Sequence, residues 1–310
     1  MKKIYISGCG GMLGEAFYAQ FKDDYHLKCT DIDVNEQWLS HCDIRDLKEY
    51  FIQVKDFKPD YLFHLGACTD LEYCESNQTV AVVTNQWATG YAVFIANELD
   101  VPLLYISTAG IFNGKKDAYT EEDKPDPMGI YAQTKYKGEA IVLKDAKKPL
   151  VCRASWMIGG GRRKDKTFVN LILRQIEAGN KTLKIVNDKR GTITYTHDFA
   201  KNVRLLIEGG YTGLFNMANL GNTNRLEIAH EIISILGLEQ EIEIFGVPSD
   251  CFKKTHYAPR PDCECLINKH LDELGLNIMR DWKIVLKEYL IQLGISDIKR
   301  IYRESRDLGR

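Results

Sequence analysis

The segment Tyr131-Ala132-Gln133-Thr134-Lys135 holds the pair best suited to proton chemistry. On a helix, residues four apart share a face and are separated by about 6 Å along the axis. A free tyrosine titrates near ~10. A neighbouring ammonium, reinforced by the positive charge of an oxidised nicotinamide, favours the phenolate and lowers that value. Bringing it toward 7 requires roughly 4 kcal/mol of differential stabilisation. That would make Tyr131 a general acid or base near neutral pH, with Lys135 as its tuning cation. A surface Tyr/Lys pair would read the same way in isolation. The pair gains weight from Ser107-Thr108, 23 to 24 residues upstream at the end of an apolar run. A hydroxyl there could hold a carbonyl beside the tyrosine.

A second kind of chemistry is written at the start of the chain. Ile4-Tyr5-Ile6-Ser7 leads into Gly8-Cys9-Gly10-Gly11-Met12-Leu13-Gly14, a G-x-x-G-x-x-G run between an apolar strand pattern and a helical one. Gly8 permits a tight turn, Gly11 lets a pyrophosphate approach the backbone, and Gly14 lets helix pack on strand. The helix beginning at Met12 and Leu13 points its free N–H groups at the phosphates. The next apolar run ends at Asp31, 23 residues after Gly8. A carboxylate there accepts hydrogen bonds from the adenosine ribose and repels a 2′-phosphate, which favours NAD(H), with NADP(H) the alternative. Asp43 and Ile44 are expected against the adenine edge. Gly66 and Ala67 are small where the cofactor backbone must pass.

Those groups need a frame, and the patterning supplies one. Strand patterns at 4–7, 27–31, 61–65, 103–106 and 150–153 alternate with helical patterns at 12–21, 46–57, 79–99 and 131–144. Strands alternating with crossover helices predict an α/β fold with a Rossmann-type doubly wound parallel sheet. After residue 155 the order loosens: helices are expected at 168–178, 199–207, 226–236 and 281–293, and strands at 183–186 and 214–217. The expected division is a dinucleotide-binding domain over 1–155, with segments of about 184–218 returning to its sheet. Residues 156–183 and 219–310 would form a smaller C-terminal substrate-binding lobe. The tail 299–310 reads as a solvated helix or a frayed end.

Composition narrows the partners. The 310 residues carry a net charge of −2 and are 45% hydrophobic and 27% charged. That is an ordinary soluble composition, with neither the basic excess of a nucleic-acid coat nor an apolar run long enough to span a membrane. The N-terminus lacks the long apolar region of a signal peptide. Nine scattered cysteines without Cys-x-x-Cys spacing point to reduced thiols, no metal site and a cytoplasmic location. His64 and Trp282 are expected in the core. The basic run Arg162-Arg163-Lys164 is either a solvated loop or a diphosphate clamp.

Taken in order, these motifs resemble the extended short-chain dehydrogenase/reductase superfamily, and within it the dTDP-4-dehydrorhamnose reductase family. The resemblance runs over nearly the whole chain. It includes the glycine loop, Asp43-Ile44-Arg45-Asp46, Thr69-Asp70, Cys74-Glu75, Asn85, Ser107-Thr108 with Ile111-Phe112-Asn113-Gly114, Tyr131 and Lys135, Arg153-Ala154-Ser155-Trp156, and Arg260-Pro261. It implies that Tyr131 donates a proton to a sugar keto oxygen, that Lys135 holds the nicotinamide ribose, and that Thr108 rather than Ser107 bonds the carbonyl. It places Trp156 at the sugar ring, Arg260 near the nucleotide diphosphate or base, and Thr69 and Ser107 among the substrate contacts. The implied substrate is a nucleotide-diphosphate sugar. The superfamily commonly forms paired-helix homodimers.

The chain departs from that pattern around the expected sugar pocket. Ala109-Gly110 stand where those reductases carry Asp-Tyr, Thr167-Phe168 where they carry Asn-Phe, and Asp188 to Thr194 where they carry Asp-Gln-x-Gly-x-Pro-Thr. The expected activity is NAD(P)H-dependent reduction of a nucleotide-linked 4-keto-6-deoxysugar, in the supply of deoxysugar and polysaccharide precursors. Two alternatives stay open: a nucleotide-sugar epimerase of the same superfamily, and a non-catalytic, cofactor-binding regulatory subunit.

Overall fold

A computed structural model of the chain describes residues 1–308. Its first half builds one sheet. Strands β1 (Lys3–Ser7), β2 (His26–Asp31), β3 (Leu39–His41), β4 (Tyr61–His64), β5 (Leu103–Thr108) and β6 (Pro149–Ala154) lie in the order 6-5-4-1-2-3. Every pairing among them is parallel. Alternate side chains feed two cores, as the period of two requires. Ile4 and Ile6 join Phe17, Phe21 and Phe63 on one face, while Tyr5 and Leu62 join Tyr50, Val54 and Val93 on the other.

Local chemistry sets where the crossover helices begin and end. Helix α1 (Met12–Phe21) buries Leu13, Ala16, Phe17 and Phe21. Asp46 caps α2 (Leu47–Phe57) by accepting from the Glu49 N–H, and Lys58 ends it in the left-handed region just before Pro59. Asp70 caps the short α3 (Leu71–Ser76) in the same way. The long helix expected at 79–99 is a run from Gln78 to Glu98 with a π turn inside it. It comprises α4 (Gln78–Val82), the π turn Val83–Trp87, and α5 (Ala88–Glu98). The catalytic pattern lies on α6 (Ile130–Asp145).

The segment 184–218 divides between two bodies. Helix α9 (Thr196–Glu208) lays Phe199, Ala200 and Val203 onto the α1 face of the sheet, and β10 (Gly213–Asn216) adds a seventh parallel strand beside β6. The strand expected at 183–186 stands elsewhere: β8 (Thr182–Val186) pairs in parallel with β12 (Glu243–Val247), away from the large sheet. A four-stranded lobe sheet forms from β7 (Trp156–Ile158), β9 (Arg190–Tyr195), β11 (Asn222–Asn224) and β13 (Cys263–Glu264). Two short helices, α7 (Gly161–Lys164) and α11 (Lys269–Glu273), join the longer α8 (Phe168–Glu177), α10 (Arg225–Leu236), α12 (Trp282–Gln292) and α13 (Ile295–Leu308), and these four surround the lobe core, in which Trp282 is 6% exposed. Asn224 and Glu227 form a capping box at the start of α10. The tail expected at 299–310 is helical through Leu308, and its last two residues lie outside the described residues.

Candidate active site

The sheet order reverses at β1, which pairs with β2 on one side and β4 on the other. Open parallel sheets leave a crevice at the carboxyl end of such a switch point. A groove of about 1470 Å³ opens there, between the large sheet and the lobe.

Its floor is the glycine turn. Gly8 has φ +73°, and a Cβ on it would come 2.2 Å from the Gly66 backbone. A Cβ on Gly14 would come 2.1 Å from the Cys9 carbonyl oxygen, whereas one on Gly11 would meet nothing within 4 Å. The three glycines thus make a tight turn, an open face and a close helix contact in the order a pyrophosphate cradle needs. Gly11, the N-cap of α1, offers no capping side chain, so the first N–H groups of the helix stay free. At the end of β2, Asp31 accepts from the Gly10 N–H at 2.8 Å and the Asp33 N–H at 3.0 Å. Asp43 is bound through both oxygens by Arg45, whose guanidinium holds the carboxyl below its ordinary range. Ile44 packs on Gly66, and Ala67 continues the wall.

Asn85 ties this wall to the catalytic helix. The π turn sets it inward, where it bonds the Cys68 N–H and C=O at 2.8 and 3.0 Å and Thr134 Oγ1 at 3.1 Å. Tyr131, Lys135 and Glu139 then follow at four-residue intervals on one face of α6. Lys135 is 4% exposed; its Nζ donates to the Ile106 carbonyl at 2.6 Å and sits 4.2 Å from the Tyr105 ring centre. Burial pulls its pKa down to about 7, with Glu139 acting in the opposite direction. Burial also pushes Tyr131 up to about 12, opposed by the Thr108 hydroxyl and assisted by the Glu264 charge. The expectation that Lys135 would draw the tyrosine toward neutrality is therefore not met in the chain by itself. The tyrosine's own burial dominates, and it stays protonated while no nicotinamide charge stands beside it.

Behind this face, Glu139 and Arg153 form an ion pair, both side chains 2% exposed, with bonds of 2.5 and 3.0 Å. Thr108 Oγ1 accepts from the Gly110 N–H at 3.1 Å, which leaves the hydroxyl proton free to donate into the groove. Among the described residues, Ser107 Oγ is buried without a partner. His64 is packed inside, as expected, with Nδ1 facing Ser7 and Tyr50, and burial lowers its pKa to about 3.

Every residue expected at the catalytic, cofactor or substrate positions lines this groove: Gly8, Gly11 and Gly14 with Met12 and Leu13, Asp31, Asp43, Ile44, Gly66, Ala67, Thr69, Ser107, Thr108, Tyr131, Lys135, Trp156 and Arg260. Arg260 arrives with a partner that its sequence position did not reveal. Glu72 holds it through two bonds of 2.7 and 3.0 Å. Arg162 pairs with Glu177, while Arg163 and Lys164 both reach Glu36 beside the β2 end. Among the lining residues that the sequence did not single out, two flank Trp156. Arg225 stacks on Trp156 at 4.6 Å, and Glu264 accepts from the Trp156 indole at 2.8 Å. The capping box at Asn224 could have located Arg225 at a helix start; nothing local marks Glu264.

The model of the RmlD substrate binding domain family matches residues 1–295. The chain belongs to this family. Among its relatives is the spore coat polysaccharide biosynthesis protein SpsK of Bacillus subtilis (strain 168), 29% identical over 94% of this chain and 97% of that protein. Another is the dTDP-4-dehydrorhamnose reductase of Mycolicibacterium smegmatis, 28% identical over 93% of this chain and 84% of that one. The crystal structure of dTDP-4-dehydrorhamnose reductase from Yersinia enterocolitica superimposes with a TM-score of 0.83 at 31% identity, covering 94% of this chain and all of that one. The RmlD family thus accounts for both bodies of the fold, sheet and lobe alike.

Proposed function

We propose that this protein is an NAD(P)H-dependent reductase of a nucleotide-linked 4-keto-6-deoxysugar, of the dTDP-4-dehydrorhamnose reductase type. The observation that carries the reading is that the glycine cradle, Thr108 and Tyr131 share one groove. The cradle fits a dinucleotide, because Gly8 and Gly14 have no room for a Cβ and Gly11 has open space above it. When bound, the dihydronicotinamide supplies the hydride that the keto carbon receives. The Thr108 hydroxyl donates to the keto oxygen and fixes its direction, and Tyr131, kept neutral by burial, gives that oxygen its proton. Lys135 orients the ribose and supplies positive charge beside the phenolate that forms.

In this reading the sheet with α9 and β10 binds the dinucleotide, and the lobe binds the sugar nucleotide through Thr69, Ser107, Trp156 and Arg260. Trp87 and Phe94, 52% and 47% exposed, leave apolar surface on the π turn and α5, which supports a homodimer. Nine free cysteines support a reducing, cytoplasmic setting.

The test is stoichiometric NADH or NADPH oxidation against dTDP-, UDP-, GDP- and CDP-linked 4-keto-6-deoxysugars. Tyr131→Phe should lower kcat by roughly 100-fold or more. An epimerase would convert sugar with no net cofactor consumption, and a regulatory subunit would turn over none of them.

A further inference from the structure

The groove contains a carboxylate to which the mechanism above gives no task. Glu264 lies on β13, the short lobe strand that pairs with β9, and its side chain enters the groove between Trp156 and Gly110. Oε2 accepts from the Trp156 indole N–H at 2.8 Å. Oε1 stands over Gly110, 3.4 Å from the place where a Cβ on that residue would be. Gly110 is the middle residue of the short turn Ala109–Ile111 that Thr108 caps, so Oε1 stands where a side chain two positions after the carbonyl-binding threonine would extend.

A carboxylate offers about four acceptor sites. Among the described residues, the indole is the single donor to the Glu264 carboxylate, and no Lys or Arg nitrogen lies within 4 Å of it. Arg225 is engaged with the faces of Trp156 and Phe168, and Arg260 with Glu72. These cations and Lys189 act on Glu264 only through space, and its charge in turn reaches Tyr131. The carboxylate is thus retained in a partly desolvated wall, one oxygen unsatisfied, within electrostatic reach of the proton donor. Such an oxygen is matched by a ligand donor. The three surrounding cations disfavour an ammonium there, so the complementary group is neutral.

We propose that Glu264 is a specificity-determining residue of the sugar subsite, whose Oε1 accepts a hydrogen bond from a ring hydroxyl of the nucleotide-linked sugar. The inference rests on the nucleotide-sugar reading of the groove. Sugars bearing that hydroxyl are selected over deoxy counterparts, which would leave the carboxylate oxygen buried and unpaired. Trp156 and Glu264 act together: the indole N–H fixes the carboxylate, while Arg225 and Gly191 hold the ring in place.

The test is calorimetric binding of dTDP-glucose and its 2-deoxy and 3-deoxy counterparts to the NADH-loaded wild type, Glu264→Gln and Glu264→Ala. Wild type should prefer dTDP-glucose over one of the deoxy sugars by roughly 10- to 100-fold. E264A should lose that preference and bind the same deoxy sugar as wild type does, within about threefold. E264Q keeps a neutral hydrogen-bonding group and should retain most of the preference. NADH affinity should be equal in all three proteins, which controls for folding. An equal loss on all sugars in E264A would overturn the proposal and leave Glu264 as a prop for Trp156. So would an undiminished preference in E264A, or no sugar discrimination in wild type. Ketosugar turnover by wild type, measured in parallel, fails independently if the reductase reading is wrong.

Discussion

Replacing Lys135 by methionine should make the protein inactive and, near neutral pH, no less stable. Lys135 is 4% exposed, and burial brings its pKa from 10.5 to about 7. The unfolded chain holds that proton until about 10.5, so between pH 7 and 10 the unfolded state binds more protons than the native one. Stability linked to this group therefore rises with pH across that window, and levels off below about pH 7, where both states hold the proton. The full shift integrates to about 3 kcal/mol from pH 7 to 10. The Ile106 carbonyl at 2.6 Å and the Tyr105 face at 4.2 Å both favour the ammonium, so that figure is a ceiling. The expected rise is roughly 1–3 kcal/mol relative to Lys135→Met, in which every other titrating group is retained. Urea unfolding of both proteins at pH 7, 8, 9 and 10 measures the difference directly. A difference that stays flat or falls with pH would refute the claim that Lys135 is a desolvated ammonium.

Three further outcomes follow from the geometry. Gly14→Ala sets a Cβ 2.1 Å from the Cys9 carbonyl, so α1 must move off the glycine turn; NADH and NADPH affinity, read by fluorescence titration, should fall at least tenfold while the lobe core stays folded. Glu139→Gln leaves Arg153 charged and unpaired in the interior and should cost about 3–5 kcal/mol in denaturant unfolding, whereas Glu139→Leu with Arg153→Met should recover most of it. With Asp31 in place NADH should bind more tightly than NADPH; Asp31→Ala should narrow the ratio at least fivefold in paired titrations, because the carboxylate opposing a 2′-phosphate is gone.

The parts legible in sequence were those whose chemistry is local. The glycine turn, the apolar strands and the Tyr131/Lys135 spacing each declare themselves within a dozen residues, and all of them reached the groove. The lobe was harder to read. Strand β12 has no fully buried residue and leaves Phe245 44% exposed, so its sequence shows no clear alternation. Its partner β8 was read as a strand but given the wrong neighbour. Glu264 acts on Trp156 across 108 residues, and Arg260 on Glu72 across 188, distances over which no periodicity speaks. The tyrosine's titration shows the same division: charge proximity can be read from spacing, whereas the burial that holds Tyr131 protonated in the chain alone depends on elements packed from far along the chain.

The interleaving of sheet and lobe has a consequence for biosynthesis. Helix α9 and strand β10 complete the α1 face and the β6 edge, yet they are made after β7, β8 and β9. When a ribosome has delivered residue 155, Phe17, Phe21 and Cys152 lack the cover that Phe199, Val203 and Phe215 will bring. At ~5–20 residues per second, the missing segment takes roughly 3–12 s to arrive. Throughout that interval the nascent chain presents an aromatic sheet face to solvent, a natural substrate for holding chaperones. A cut near residue 155 would make the exposure permanent, so the two halves are expected to aggregate when expressed apart and to survive only as one polypeptide.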